Sequence, residues 1–327
     1  MSFYFSQKYS RMKSVVKKHI ACFTCIAAVF LIGYLPQAMA SSTAAEGQKF
    51  PSRQDKIPKP DHVVIVIEEN KAYKSIIGNM AAPYINSLAN EGTLFTNSFA
   101  VSHPSQPNYL ALFSGSTFDV TDDRCEITVS GDNLANELRK NGLTFGIYSE
   151  SMPTTGYEGC ATPGFRYARK HNPAVNWQGK NILAEINMPF DKFPSDYTRL
   201  PTVSMVVPNQ SDDMHDGVTL SDQIAQGDRW LKTNLDAYVR WAKVHNSLLI
   251  VTWDEDDGSD YNHIATIFVG PMVRHGKYKN RIDHYSVLRT VTDMYGLTPL
   301  GNSADAQPIV EVWSSTGTGA DNSNLNN

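Results

Sequence analysis

The run Trp253-Asp254-Glu255-Asp256-Asp257-Gly258 sets four carboxylates in a row. Ser247-Leu248-Leu249-Ile250-Val251-Thr252, directly before it, is apolar and rich in β-branched residues, the pattern of a buried strand. The acids therefore stand where a strand leaves the core, the edge at which open α/β sheets bind ligands. Clustered negative charges repel unless something positive sits among them, and a metal cation meets that need. An Asp-Gly pair also opens ordinary solvated turns. The apolar strand is what favours the metal-site reading.

Two further apolar runs end the same way. His62-Val63-Val64-Ile65-Val66-Ile67 leads into Glu68-Glu69-Asn70, and Thr202-Val203-Ser204-Met205-Val206-Val207 leads through Pro208 into Asn209-Gln210-Ser211-Asp212-Asp213-Met214-His215-Asp216. If the three strands are parallel, all three clusters meet at one edge. A set of mostly oxygen ligands favours a hard cation, Ca²⁺, Mg²⁺ or Mn²⁺. His215 and His263 would shift the preference towards Zn²⁺ or Fe.

A fourth segment, His103-Pro104-Ser105-Gln106-Pro107-Asn108-Tyr109, lies between a strand and a helix start. A serine there sets its hydroxyl beside the positive helix N-terminus, which favours an alkoxide and a bound anion. An N-cap is the plainer role for Ser105. No G-x-S-x-G elbow surrounds it, which counts against an α/β-hydrolase triad. A metal beside the serine would remove the need for a histidine base. Tyr167-Ala168-Arg169-Lys170-His171-Asn172-Pro173 is a basic island in an acidic chain. Lys170 and His171 suit a phosphate, although a solvated basic turn has the same composition.

The elements that must position these residues alternate. Strand patterns cover His62–Ile67, Thr93–Phe99, Thr144–Tyr148, Thr202–Val207, Ser247–Thr252 and Ile264–Val269. Helical patterns cover Ala82–Asn90, Asn108–Phe113 entered through Pro107, Leu134–Lys140, Asp228–Val244 and Tyr285–Tyr295, the last closed by Gly296. Such alternation predicts an α/β sandwich around a mostly parallel sheet.

The chain has 327 residues, with 29 Lys+Arg and 33 Asp+Glu. Lys8, Arg11, Lys13, Lys17 and Lys18 precede an apolar stretch of 15 residues, Ile20–Tyr34, and Ala38-Met39-Ala40 follows as a small-x-small site. This pattern reads as a cleaved signal peptide over 1–40, too short for an ordinary membrane span. Residues 41–60 read as a linker, 61–313 as the catalytic domain and 314–327 as a disordered tail. No transmembrane segment is expected in the mature chain. Five basic residues leave with the signal, so 29 becomes 24 against 33 acids, a net of −9. That balance excludes a basic nucleic-acid footprint. Cys125 and Cys160 remain as an even pair, which in an exported protein fits a disulfide, two buried thiols being the other reading.

Taken together, Ile67-Glu68-Glu69-Asn70, His103 to Tyr109, Tyr167 to Pro173, Pro208-Asn209 with Asp213-Met214-His215-Asp216, and Trp253 to Gly258 resemble the phosphoesterase family. That family holds secreted acid phosphatases and phosphatidylcholine-type phospholipases C, and looks like a branch of the alkaline-phosphatase-like superfamily. The matching pieces run in family order over residues 62 to 295. The nearest likeness is to secreted acid phosphatases of intracellular bacterial pathogens that act on phosphatidylinositol 3-phosphate.

The resemblance implies an α/β/α sandwich and a secreted or periplasmic, metal-assisted phosphomonoesterase. Its substrate would be a phosphomonoester, with a phosphoinositide lipid at a membrane surface among the candidates. It places Ser105 as nucleophile, with His215 and His103 as catalytic histidines. Glu69, Asn70, Asp254, Glu255 and His263 become metal ligands, and Lys170, His171, Asn108 and Asn209 substrate contacts. The superfamily's usual Asp-His pair reads Asp254-Glu255 here, which leaves room for a single hard cation. Two other readings follow: a phospholipase C-like phosphodiesterase, with Phe165, Tyr167, Trp177, Phe190 and Phe193 near its pocket unless they pack the core, and a non-catalytic exported module that binds a metal or a host factor.

Overall fold

The computed structural model describes residues 57–177 and 183–314. The signal segment, residues 41–56 of the linker and all but the first residue of the tail lie outside the described residues, as does the Phe165 side chain. Among the described residues nine strands form one sheet. They are β1 (His62–Glu68), β2 (Thr93–Phe99), β3 (Phe145–Ser149), β4 (Asn187–Pro189), β5 (Val203–Val207), β6 (Ser247–Trp253), β7 (His263–Val269), β8 (Gly276–Tyr278) and β9 (Ile282–Asp283). The order is β4-β3-β5-β1-β6-β7-β2-β8, with β9 beside β2.

At the centre, β1 runs parallel to both β5 and β6, with Val63 opposite Val203 and Glu68 opposite Trp253. The three acidic clusters therefore do leave from one edge. The sheet is mixed on its other side, where β7 is antiparallel to both β6 and β2. Two reversals bring β2 back to the direction of β6, so its end opens at the same edge.

Alternation along each strand divides the core. Val63, Ile65 and Ile67 face one layer, with α3 (Ser105–Ser114), α4 (Leu134–Lys140) and α6 (His284–Met294). Val64 and Val66 face the other, with α1 (Tyr73–Ile76), α2 (Pro83–Glu91) and α5 (Leu220–Ala242). The central strands are buried on both sides, as continuous apolar runs require.

Two helices begin earlier than their apolar periodicity indicates. α5 opens at Leu220 rather than at Asp228, because Thr219 caps it by accepting from the Asp222 N–H. Its first turns are polar, and the buried Asp228 carboxylate accepts the Tyr84 and Ile85 N–H groups that start α2. α3 opens at Ser105 rather than at Asn108. Pro107 is tolerated at its third position, because first-turn N–H groups have no partner within the helix.

The aromatic side chains of the irregular region pack inward. Trp177 lies edge-on to Phe113 and Phe118. Phe190 and Phe193 pack with Tyr148, Trp230 and Tyr238, and Tyr167 is buried against Tyr157. No helix of the described residues is long and apolar enough to cross a membrane.

Candidate active site

Glu69 follows β1 directly, its N–H bonded to the Asp213 carbonyl at 2.8 Å. Asp254 follows β6, its N–H bonded to the Glu68 carbonyl at 3.0 Å. The second bond prolongs the β1–β6 pairing by one residue and the first ties Glu69 to the loop after β5, so both carboxylates are held at the sheet edge. Asp254 Oδ1 accepts the backbone N–H groups of Asn70 at 3.1 Å and Glu255 at 2.6 Å. The buried His284 Nε2 donates to the Asp254 carbonyl at 2.7 Å.

Ser105 is the first residue of α3, reached through a cis His103–Pro104 peptide. Its Oγ lies 2.7 Å from Glu69 Oε1, 3.2 Å from Glu255 Oε1 and 3.4 Å from Lys170 Nζ. His103 bridges two carboxylates at the mouth, with Nδ1 2.6 Å from Glu255 Oε2 and Nε2 3.1 Å from Asp256 Oδ1. Lys170 also pairs with Asp123 Oδ2 at 2.9 Å.

His171 lies deeper than expected of a substrate contact. Nε2 is 3.2 Å from Glu69 Oε2 and Nδ1 3.5 Å from Asp213 Oδ2. The Tyr109 ring stacks on it at 4.9 Å. Ligand atoms of Glu69, His171 and Asp254 all lie within 4.8 Å of one another, and all three residues are buried.

The electrostatics express crowded negative charge. Burial pushes the Asp254 carboxyl well above its ordinary range, and the Glu69 charge adds to it. Burial, again with Glu69, pushes Glu255 up to about 7. Burial opposes the charged form of Glu69 too, but the His171 charge, the contacts with His171 and Asp254 and the Lys170 charge together outweigh it and hold that carboxyl well below the usual range. Burial alone would depress His171; Glu69 and Asp213 raise it to about 9.

A divalent cation fits this group on the structure's own terms. Glu69 Oε2, Asp254 Oδ2, Asp213 Oδ2 and His171 Nε2 are buried atoms without an aligned hydrogen-bond partner. Such atoms are costly unless something satisfies them. Asp213 beside Nδ1 supplies the outer carboxylate that commonly orients a ligating imidazole.

Several expected residues stand elsewhere. His263 is sandwiched between Tyr73 and Phe99, its nitrogens turned to Asp260 and the Thr96 carbonyl, so its ring is not part of the ligand group. His215 pairs with Asp216, and only its backbone N–H reaches inward, to Asp213 Oδ1 at 2.8 Å. The Asn108 amide is saturated: its Oδ1 accepts from Val101 and Ser102, and its Nδ2 donates to the Ser102 and Pro104 carbonyls. Asn209 is likewise used up, by Ser151, Ser211 and Asp212. Both asparagines shape turns instead of facing a substrate. Asn70 is left-handed (φ 54°) and gives its N–H to Asp254 and its carbonyl to Lys71 Nζ.

Two residues carried too little signal to be singled out. Asp213 lay inside an acidic run in which any member could have turned inward. Asp123 belongs to no motif, and its place two residues before Cys125 is the one feature of the sequence that sets it apart.

The architecture and site define an α/β protein with a serine set among buried carboxylates, and its fold is that of the alkaline phosphatase superfamily. A member of that superfamily from Vibrio parahaemolyticus superposes with a TM-score of 0.52 at 15% identity, covering 80% of this chain and 75% of its own. Residues 79–298 match the Phosphoesterase family, and the chain belongs to it. It is 44% identical to the phosphatidylinositol-3-phosphatase of Mycobacterium tuberculosis (strain ATCC 25618 / H37Rv), over 94% of this chain and 98% of that protein. It is 31% identical to the phosphate-repressible acid phosphatase of Penicillium chrysogenum, over 66% of this chain, which spans 55% of the fungal protein.

Proposed function

We propose that this protein is an exported phosphomonoesterase that transfers a phosphoryl group to Ser105 and then to water. The observation that carries the reading is the position of Ser105 Oγ at the head of α3, 2.7 Å from a carboxylate oxygen of the ligand group and 3.4 Å from Lys170 Nζ. Family membership and the phosphatase relatives support the same activity.

Ser105 Oγ gives up its proton to Glu255, whose raised pKa suits a base, and attacks phosphorus in line. The ester P–O bond breaks, and the leaving oxygen takes a proton from His103 at the mouth. Lys170 offsets negative charge on the phosphoryl oxygens. Water then cleaves the phosphoserine and restores the hydroxyl. Glu69, Asp254 and His171 would hold a divalent cation, with Glu255 beside Ser105 and the Asn70 backbone N–H steadying Asp254. When bound, that cation supplies Lewis-acid charge that lowers the serine pKa and stabilises the phosphoryl group. Two carboxylates with one imidazole move the preference from Ca²⁺ towards Mn²⁺, Zn²⁺ or Fe²⁺. Phosphatidylinositol 3-phosphate ranks first among substrates, on the relative that spans nearly the whole chain.

The test measures phosphate release from a soluble phosphomonoester, a phosphodiester and phosphatidylinositol 3-phosphate, with and without chelator, for wild type and Ser105→Ala. Release from the monoesters alone, lost with chelator, is expected. Ser105→Ala should retain less than about a tenth of kcat, and more than that would remove Ser105 as nucleophile. Diester cleavage would transfer the protein to a phospholipase C-like reading.

A further inference from the structure

Ser105 and Lys170 come from distant parts of the chain, and one carboxylate touches the supports of both. Asp123 Oδ1 accepts the Gln106 backbone N–H at 3.0 Å, while Oδ2 pairs with Lys170 Nζ at 2.9 Å. Pro104 stands at the cap position of α3 and supplies no side-chain cap. Asp123 thus reaches in from outside the helix to satisfy a first-turn N–H left open by the chain's own sequence. Gln106 closes the contact from its side, its Nε2 donating to the carbonyls of Asp122 at 3.1 Å and Arg124 at 2.9 Å.

The turn carrying Asp123 has its own anchor. Cys125, two residues on, is bonded to Cys160. The Cys160 carbonyl accepts the Arg169 N–H at 2.9 Å, and Ala161 bridges to Ala168. The segment that presents Lys170 and His171 is therefore tied through the disulfide to the turn that holds Ser105's helix.

We propose that Asp123 is a positioning residue of the active site: it fixes Lys170 Nζ beside Ser105 Oγ and pins the first turn of α3, from a turn fastened to the Lys170 loop by Cys125–Cys160. The proposal rests on the phosphoryl-transfer reading above. Asp123 touches neither the ligand group nor the serine oxygen. Its effect runs through Lys170 and through the helix start, and it should appear in the chemical step more than in substrate binding.

The experiment uses the full chain with its metal and a soluble phosphomonoester. It compares wild type, Asp123→Asn, Asp123→Glu, Lys170→Met and the Asp123→Asn/Lys170→Met pair. Asparagine keeps an oxygen for the Gln106 N–H but loses the charge that holds Lys170. We expect Asp123→Asn to lower kcat by about tenfold or more, as loss of fixed geometry does, with KM within about twofold and Tm nearly unchanged. Asp123→Glu should recover part of that loss. In the Lys170→Met background Asp123→Asn should cost little more, because the two act as one unit. A kcat for Asp123→Asn within about twofold of wild type, or losses that multiply in the pair, would overturn the positioning role while leaving the phosphatase reading intact. No phosphate release by wild type would overturn both. Cys125→Ser/Cys160→Ser should lower kcat in the fraction that folds, and a folded, fully active double variant would remove the disulfide from the proposal.

Discussion

A serine hydroxyl has one proton to donate, and Ser105 has carboxylate oxygens of Glu69 and Glu255 both within reach. Only one can receive it at a time, so the other is left facing an oxygen. The same crowding recurs at Glu69 Oε2 and Asp254 Oδ2, which have no aligned donor. These atoms make a cation the natural occupant, and the histidine that completes the group is His171. The alternative choice, His263, has both nitrogens and both ring faces committed to Asp260, Thr96, Tyr73 and Phe99. His171→Ala should therefore weaken binding of Mn²⁺ or Zn²⁺ by at least about 100-fold, the upper end of what loss of a mere outer partner does, whereas His263→Ala should change it by less than about threefold. Titration calorimetry on metal-stripped protein reads both. Equal effects would return His263 to the ligand group. Sequence alone could not separate the two, because each histidine lies among polar residues and their difference is made by the strands that carry Glu69 and Asp254.

At the scale of elements, α3 must be fixed at both ends for Ser105 to keep its place. Its far end closes on Gly115, which is left-handed (φ 74°) and packs against the loop after α6. A Cβ there would stand 1.9 Å from the Leu300 carbonyl oxygen. Gly142, after α4, has a similar φ of 71° but open space around it. Gly142→Ala should cost about 1–2 kcal/mol for the backbone conformation alone. Gly115→Ala should cost about 1–3 kcal/mol beyond that, because the loop must move. Denaturant unfolding of the two variants isolates the contact, and equal losses would deny it. The contrast also explains how much of the fold was legible. The β1, β5 and β6 strands could be read from runs that are almost wholly apolar, interrupted by buried Ser204, Ser247 and Thr252, because burial on both faces favours that composition. α5 was readable only from Asp228, because its opening turns are polar and its buried Asp228 serves α2. The antiparallel β7 and the short β8 and β9 carry no pattern that fixes direction. The described segment that presents Lys170 and His171 is built from short 3-10 turns held by single backbone bonds, such as Arg169 N–H to the Cys160 carbonyl, and such turns have no periodicity to reveal them.

At the scale of the whole molecule, the site loads a stable sandwich with charges that it tolerates only in the right protonation or metal state. In the metal-free protein, burial and the Glu69 charge raise Glu255 from 4.5 to about 7. The folded form then holds a proton that the unfolded chain releases nearer 4.5, so this group favours folding at acid pH and loses that contribution as pH rises through about 7. Burial opposes the charged form of His171, but Glu69 and Asp213 carry it from 6.5 to about 9. Its contribution is complete below 6.5 and is lost as pH rises through about 9, which has the same sign. Asp254 is raised too, by burial and then Glu69, and acts in the same direction. Glu69 is the opposite case: held low by His171 against the effect of burial, it stabilises above its unfolded value of 4.5 and loses that only as pH falls through its depressed folded value. The buried His284 also acts against the raised groups, because burial lowers its pKa and its contribution is gained as pH rises towards 6.5. Across pH 5 to 9 the three raised groups, Asp254, Glu255 and His171, outnumber it. Tm of the chelated protein should fall steadily over that range. A divalent cation held by Glu69, Asp254 and His171 would replace the protons on Asp254 and His171 and should flatten or reverse the slope, because affinity grows as the ligands deprotonate. Calorimetric scans with and without Mn²⁺ or Zn²⁺ decide the matter. Parallel curves in the two conditions would mean that the cation is bound somewhere other than among these residues.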